Sequence, residues 1–85
     1  MGKIKLNYTR EALKRLKNIP QSDQNKTKRK INILLTEPLA GKPLQGMFSG
    51  NRSLKAWPLR IIYQFNSKTE TILIITVEYR GQAFK

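Results

Sequence analysis

The sequence predicts an α+β domain with the element order β-α-α-β-β-β, in which an N-terminal helical hairpin packs on one face of a mostly antiparallel four-stranded sheet. Three observations predict this class. The chain begins with an apolar–polar alternation, continues with two segments of helical periodicity divided by Pro20, and carries strand-like apolar runs in its last third. Its 85 residues suffice for a single domain, which we place at residues 1–85.

The first strand and the first helix follow from a change of period near Thr9. Before it, Ile4, Leu6 and Tyr8 alternate with polar residues, the pattern of a half-buried strand. Thr9 itself stands where its hydroxyl can accept a hydrogen bond from the first turn of a helix. Beyond it, apolar residues recur at helical spacing, namely Ala12, Leu13, Leu16 and Ile19.

A second helix is predicted from about Gln21 to Thr36. Pro20 suits the start of this helix, because the N–H that proline lacks would have no intrahelical partner there. Pro38 ends it, since proline cannot continue a helix. The expected buried stripe consists of Ile31, Leu34 and Leu35. The two helices are short enough to form an antiparallel αα-hairpin.

Three strands are predicted after a loop rich in glycine and proline, at Arg52–Trp57, Leu59–Asn66 and Thr71–Tyr79. Pro58 marks a turn between the first two, because it cannot donate to a ladder, and the polar run Asn66–Glu70 forms the turn between the last two. In the middle strand we expect one face beneath the helices, formed by Leu59, Ile61, Tyr63 and Phe65. The opposite face carries Arg60, Ile62 and Gln64.

The composition is strongly basic, with 17 Lys and Arg against 5 Asp and Glu and a formal net charge of +12. A positive field of this size speeds encounter with polyanions or with an acidic partner protein. The chain has no cysteine and no histidine, which excludes disulfides, thiolate metal sites and the commonest general base. We therefore expect no metal site and no cofactor.

The sequence also predicts where in the cell the protein is located. Its longest uninterrupted apolar stretch, Ile72–Ile75, is far too short to cross a bilayer. The first residues show neither the h-region nor the cleavage site of a signal peptide. We expect a cytoplasmic protein without a membrane partner.

Four segments in this order resemble the RelE/ParE family of bacterial toxins: Gly41–Gly46, Asn51–Lys55, Leu59–Tyr63 and Val77–Arg80. Family members carry a Gly-Lys…Leu-x-Gly loop, an Arg-Ser-Leu-Arg-like strand, a strand reading y-R-I-I-Y and a final V-G-H-R segment. Each piece alone has low specificity, whereas the ordered set is specific and spans nearly the whole chain. The resemblance implies a RelE-like fold and a toxin that a cognate antitoxin protein neutralises.

The same resemblance implies two possible targets. RelE-like toxins are mRNA interferases, which enter the ribosomal A site, contact rRNA and cut mRNA there without a metal ion. ParE-like toxins instead poison DNA gyrase. The first activity, inhibition of translation by an endoribonuclease, is the function that we expect here. The gyrase activity is the alternative.

The residues that would act on RNA follow from the resemblance. Arg60 and Arg80 match the two arginines of the family, and a guanidinium holds phosphate oxygens bidentately and stays charged. Lys55 and Arg52 match basic positions of the preceding strand, Lys55 as a candidate for proton transfer and Arg52 for RNA binding. Exposed cations of the second helix, Lys28, Arg29 and Lys30, are expected to bind rRNA phosphates or to form a solvated face.

Two positions depart from the family pattern. Its histidine is Tyr79 here, and its final tyrosine is Phe84, which can stack on a base but cannot transfer a proton. Tyr79 qualifies as a catalytic acid or base only if Arg60 or Arg80 lowers its pKa. The sequence therefore leaves open an endoribonuclease with an atypical acid–base set, a gyrase poison, and a toxin-fold protein with attenuated or no nuclease activity.

Overall fold

A computed structural model describes residues 3–44 and 50–79 and confirms the α+β class. Within those ranges the elements follow one another as β1 (Lys5–Tyr8), α1 (Arg10–Asn18), α2 (Gln21–Leu34), β2 (Lys42–Pro43), β3 (Arg52–Ala56), β4 (Leu59–Asn66) and β5 (Thr71–Tyr79). Neither of these helices has the length and apolar character needed to cross a membrane.

The strands form one sheet in the order β1-β5-β4-β3-β2. Pairing is antiparallel throughout except between β1 and β5, which run parallel. The four expected strands are present, and the two-residue β2 extends the sheet beyond β3. Proline is tolerated in such an edge strand, which explains how Pro43 takes part.

The helices cover the face of the sheet that the sequence predicts. Leu59, Ile61 and Tyr63 are at most 1% exposed, and Phe65 packs against the same cluster. Two helical predictions are wrong. α2 ends at Leu34 rather than at about Thr36, and Leu35, expected in the buried stripe, is 38% exposed.

Thr9 joins the first helix to the sheet. Its side-chain oxygen accepts a hydrogen bond from the Ala12 amide at 3.0 Å, the cap expected from the sequence, and its hydroxyl donates to the Ile75 carbonyl at 2.6 Å. One side chain therefore satisfies a free amide at the start of α1 and fixes that start against β5.

A β-bulge in β5 decides which side chains face the helices. Ile62 lies opposite Thr76 while Tyr63 lies opposite Ile74, so Ile75 is an extra residue in β5. The extra residue shifts the alternation of side chains by one. The buried residues Ile72 and Ile74 before the bulge and Val77 after it consequently all belong to the core.

The segment 38–43, which leads from α2 into β2, is tied to the sheet by two side chains. The Tyr63 hydroxyl donates to the Pro38 carbonyl at 2.8 Å and accepts from the Gly41 amide at 2.9 Å. The Arg52 guanidinium donates to the Gly41 carbonyl at 2.7 Å and, at 3.4 Å, to that of Leu39. We call these contacts the Tyr63–Arg52 network.

Glycine is required at position 41 of this network. A Cβ there would lie 2.7 Å from the Tyr63 ring and 2.9 Å from the Ser53 carbonyl oxygen, closer than real Cβ contacts. Burial raises the pKa of the Tyr63 phenol, so the hydroxyl remains protonated and able to donate. The absence of a side chain at Gly41 is what allows this hydroxyl to reach the backbone.

Tyr63→Phe should lower the free energy of unfolding by about 1–3 kcal/mol, because the buried Gly41 amide loses its acceptor while the ring remains. Urea denaturation measures the change. Tyr8→Phe is the matched control, since the Tyr8 hydroxyl makes no hydrogen bond within residues 3–44 and 50–79, and we expect about 0.5 kcal/mol or less. Equal losses in the two variants would contradict the importance of the network.

Candidate functional site

On the sheet face opposite the helices, three charged residues form a row across three strands. Lys55 of β3 lies directly opposite Arg60 of β4, and Glu78 of β5 lies directly opposite Arg60 on its other side. The family resemblance named both Arg60 and Lys55 as candidate catalytic residues, and in the structure they lie side by side. Two like charges in opposed positions destabilise a sheet, so stability alone does not account for this pair.

The Glu78 carboxylate accepts hydrogen bonds from two residues outside the row. Its Oε1 accepts from the Arg15 guanidinium at 3.1 Å, and its Oε2 accepts from the Thr76 hydroxyl at 2.7 Å. Arg15 belongs to α1 and also pairs with Glu11 at 3.5 Å. The carboxylate, only 13% exposed, is thus neutralised by a helix residue at the edge of β5.

The row ends in a cleft of about 430 Å³ that we call the basic cleft. β2 pairs only with Arg52 and Ser53, so within residues 3–44 and 50–79 the rest of β3 has an open edge, and the cleft lies there. Among the described residues that line it, four are cations and none is a carboxylate. The lining residues are Lys30, Ala40, Lys42, Pro43, Leu44, Ser53, Leu54, Lys55 and Arg60. Cations gathered in a cleft concentrate anions there.

The other predicted site residues lie in different places. Arg52 was expected to bind RNA. Its guanidinium instead donates hydrogen bonds to the Gly41 and Leu39 carbonyls of the Tyr63–Arg52 network. Lys28 and Arg29 are exposed on α2 and do not line the basic cleft, whereas Lys30 does. Arg80 and Phe84 lie outside the described residues.

Tyr79 does not meet the condition set for a catalytic acid or base. It lies on the helix-facing side of β5, packed against the core, and its hydroxyl donates to Asp23 of α2 at 3.1 Å. Partial burial, the hydrogen bond to Asp23 and the charge of that carboxylate all raise the pKa of the Tyr79 phenol. An arginine was required to lower it. Tyr79 ties β5 to α2 and faces away from Arg60.

Lys42 is the site residue that sequence reasoning missed. It stands in a Gly-Lys-Pro run that reads as loop, and only the pairing of β2 with β3 brings it to the basic cleft. The basic residue in the matching "gk" piece was the available signal. The sequence pattern gives no sign that the segment is a strand.

A second concavity, of about 540 Å³, lies between α1 and the second half of β5. It exists because β1 pairs only with Thr71–Ile74, which leaves the rest of β5 beside the helix. We call it the β5 groove. Val77 and Tyr79 provide its apolar part, and Arg10, Lys14 and Arg15 its positive charge, with Glu11, Asn18 and Ile19 completing the lining.

A family model described as the ParE toxin of the type II toxin–antitoxin system parDE matches residues 6–84. The chain belongs to this family. No curated protein sequence matches the chain.

Solved structures of toxins share the fold. The RelBE2 toxin–antitoxin complex of Mycobacterium tuberculosis contains a chain that is 25% identical, with a TM-score of 0.84 over 93% of this chain and 100% of that one. The RelE–RelB complex of Pyrococcus horikoshii gives 21% identity, a TM-score of 0.81 and coverage of 95% and 99%. Isolated RelE of E. coli is 22% identical, with a TM-score of 0.77 over 95% of this chain and 90% of that one. This ParE-family chain therefore has a RelE-like fold.

Lys55→Thr should raise the free energy of unfolding by about 0.2–1 kcal/mol at low salt, because it removes a cation directly opposite Arg60. Thermal or urea denaturation measures the gain, which should shrink as salt screens the charges. Lys5→Thr is the matched control, since Lys5 lies in a strand opposite the uncharged Thr71. A gain of the same size at Lys5 would show that strand propensity, not charge repulsion, is responsible.

The phenol of Tyr79 should ionise at higher pH in the folded protein than in the unfolded chain, whose tyrosines titrate near pH 10. Its contribution to stability is therefore complete below about pH 10 and is lost as the pH rises through the folded pKa. Carbon NMR of labelled tyrosine rings measures each pKa separately. Asp23→Asn should bring the pKa of Tyr79 back toward its ordinary value and leave that of Tyr8 unchanged. An unmoved Tyr79 would contradict the role of Asp23.

Proposed function

We propose that this toxin inhibits translation by cutting mRNA on the ribosome, with Arg60 and Lys55 acting on the scissile phosphate. The observation that supports this proposal is the opposed Lys55–Arg60 pair at the basic cleft. A sheet tolerates the repulsion of such a pair more readily when a bound phosphate relieves it.

The reaction needs charge stabilisation more than covalent chemistry. The ribose 2′-oxygen attacks the adjacent phosphorus, negative charge grows on the phosphoryl oxygens, and the 5′-oxygen leaves with a proton. Arg60 is half-buried, so its guanidinium acts on the phosphoryl oxygens with less screening by water than a surface cation. The exposed Lys55 ammonium, directly across the ladder, donates the proton that the leaving oxygen requires.

The base for the 2′-hydroxyl is the remaining requirement. The chain has no histidine, and the Tyr79 phenol faces α2. We propose that ribosomal RNA in the A site supplies or orients this base, which makes cleavage dependent on the ribosome. Arg80, the second arginine implied by the family resemblance, stays a prediction for phosphate binding.

Arg60→Ala should reduce cleavage of mRNA in a cell-free translation mixture by about 10²–10³-fold, the usual effect of losing one preorganised charge-stabilising group. Primer extension maps the cuts, which should fall in the A site. Lys68→Ala is the control, because Lys68 is exposed in the turn between β4 and β5. It removes the same charge and should change the rate by about twofold or less. Intact mRNA and undiminished translation with the parent protein would refute the proposal.

The ParE family match favours one alternative, a gyrase poison. The absence of the family's histidine and final tyrosine points the same way, because a binding protein needs no acid–base pair. This alternative predicts stabilised gyrase–DNA breaks and no effect on the translation mixture used above. Neither activity, together with retained binding to an antitoxin, would identify a toxin fold that has lost toxicity.

We further propose a cognate antitoxin as the physiological partner. The relatives from M. tuberculosis and P. horikoshii were crystallised as toxin–antitoxin complexes. The net charge of +12 favours an acidic partner. The β5 groove, with an apolar floor and basic walls, suits an acidic amphipathic segment of such a protein.

A further inference from the structure

Two cations of the basic cleft do not belong to the Lys55–Arg60 pair. Lys30 reaches the cleft from α2, and Lys42 from the edge strand β2. The proposed cutting step uses neither of them, so their convergence on the same cleft requires a separate account.

Lys30 is held at this place by its position in the helix. Residues three and four apart are neighbours on a helix surface, so Lys30 adjoins Thr27 and Leu34, both of which are fully buried. Its side chain consequently leaves the helix at the margin of the buried stripe and is half-buried, whereas Lys28 and Arg29 are exposed. The aliphatic stem can pack while the ammonium enters the cleft.

Lys42 is held by its backbone. It pairs with Ser53 in the sheet, and the residue before it, Gly41, is bonded through both its amide and its carbonyl to Tyr63 and Arg52. A lysine on so constrained a segment loses little further backbone freedom when its ammonium binds an anion. The Tyr63–Arg52 network thereby presets the position of one wall of the cleft.

We propose that Lys30 and Lys42 form a second phosphate subsite, which binds the phosphate next to the scissile one in a single-stranded RNA. The inference rests on the proposed function for the assignment of the scissile phosphate to Arg60 and Lys55. The cleft volume of about 430 Å³ lies within the range of about 300–1,000 Å³ typical of small-ligand sites.

An exposed aromatic residue adjoins the same region. Trp57 lies in the turn that joins the strand of Lys55 to the strand of Arg60, and its side chain is 62% exposed. Proteins that bind single-stranded nucleic acid combine a basic groove with aromatic residues on which bases stack. The turn residue and the four cations together present that combination.

Binding of short RNAs tests the subsite without any cleavage. The probe is a fluorescein-labelled, fully 2′-O-methylated RNA, which cannot be cut because the attacking hydroxyl is blocked, and fluorescence anisotropy gives Kd across a range of KCl concentrations. The variant is Lys30→Gln with Lys42→Gln. Lys17→Gln with Lys68→Gln is the control, since it removes the same charge from two exposed positions outside the cleft.

For a probe with several phosphates, the slope of log Kd against log salt should fall by about 1.4 in the Lys30/Lys42 variant, about 0.7 for each lost contact. The control should keep the slope of the parent protein. A dinucleotide with a single phosphate should bind the variant and the control alike, because it reaches only the first subsite. Lys30→Arg with Lys42→Arg should restore the slope, which separates loss of the contacts from misfolding.

Three results would overturn the subsite. The first is the same salt slope in the Lys30/Lys42 variant and in the control. The second is a loss of affinity of the variant for the dinucleotide as large as its loss for the longer RNA. The third is a glutamate-rich peptide that displaces the RNA from the parent protein and binds more weakly when Lys30 and Lys42 are replaced. The last would assign the cleft to an acidic protein. Cleavage in the translation mixture is scored separately. RNA binding with the expected slopes but no cleavage by the parent protein would refute the proposed reaction and support the subsite. Cleavage by the parent protein with equal slopes in variant and control would support the reaction and refute the subsite.

Discussion

The hydrogen bonds that Tyr63 and Arg52 make to segment 38–43 are the constraint on which the candidate site depends. They attach a segment that leads out of α2 to the sheet, and β2 is the last part of that segment. Tyr63 is fully buried, so its hydroxyl and the Gly41 amide satisfy each other where water cannot. The protein core therefore sets the geometry of one wall of a surface cleft.

The second determinant is the bulge at Ile75. If β5 alternated regularly, without a bulge at Ile75, Val77 and Tyr79 would face away from the helices, and Glu78 would face them. With it, the core receives the apolar residues of both halves of β5, and Glu78 joins the charged row beside Arg60. A single inserted residue thus separates the structural role of Tyr79 from the functional face, and Thr9 binds the carbonyl of that same residue.

The sequence predicted the parts of the structure that local patterns encode. The order of elements, the Thr9 cap and the buried face of β4 follow from periodicity and capping chemistry. The pairing of Lys55 with Arg60 agrees with the family resemblance that named both residues. The rest depends on long-range pairing. Nothing local marks Lys42 as a strand residue, and no periodicity reveals where a bulge shifts the alternation.

Arg52 and Tyr79 show that local sequence patterns do not predict which groups a side chain contacts. Both stand at positions that the family resemblance associates with catalysis or RNA, and both bind elsewhere in the protein. A motif gives the residue type and its neighbours along the chain, whereas the partner of a side chain depends on which distant backbone or carboxylate arrives beside it. The partners here are Gly41 and Asp23.

The parallel pairing of β1 with β5 has a consequence for synthesis of the chain. Lys5 lies opposite Thr71, so β1, which is synthesised before the other described strands, pairs with β5, which is synthesised after them. Synthesis proceeds at about 5–20 residues per second, and the N-terminal part of a chain is available to fold first. Here that part, including the Thr9 cap on Ile75, has to wait for residues 71–79 before it can dock. The residues of the basic cleft, all between Lys30 and Arg60, are synthesised in the interval. Of the described strands, β1 is synthesised first and waits longest for its partner.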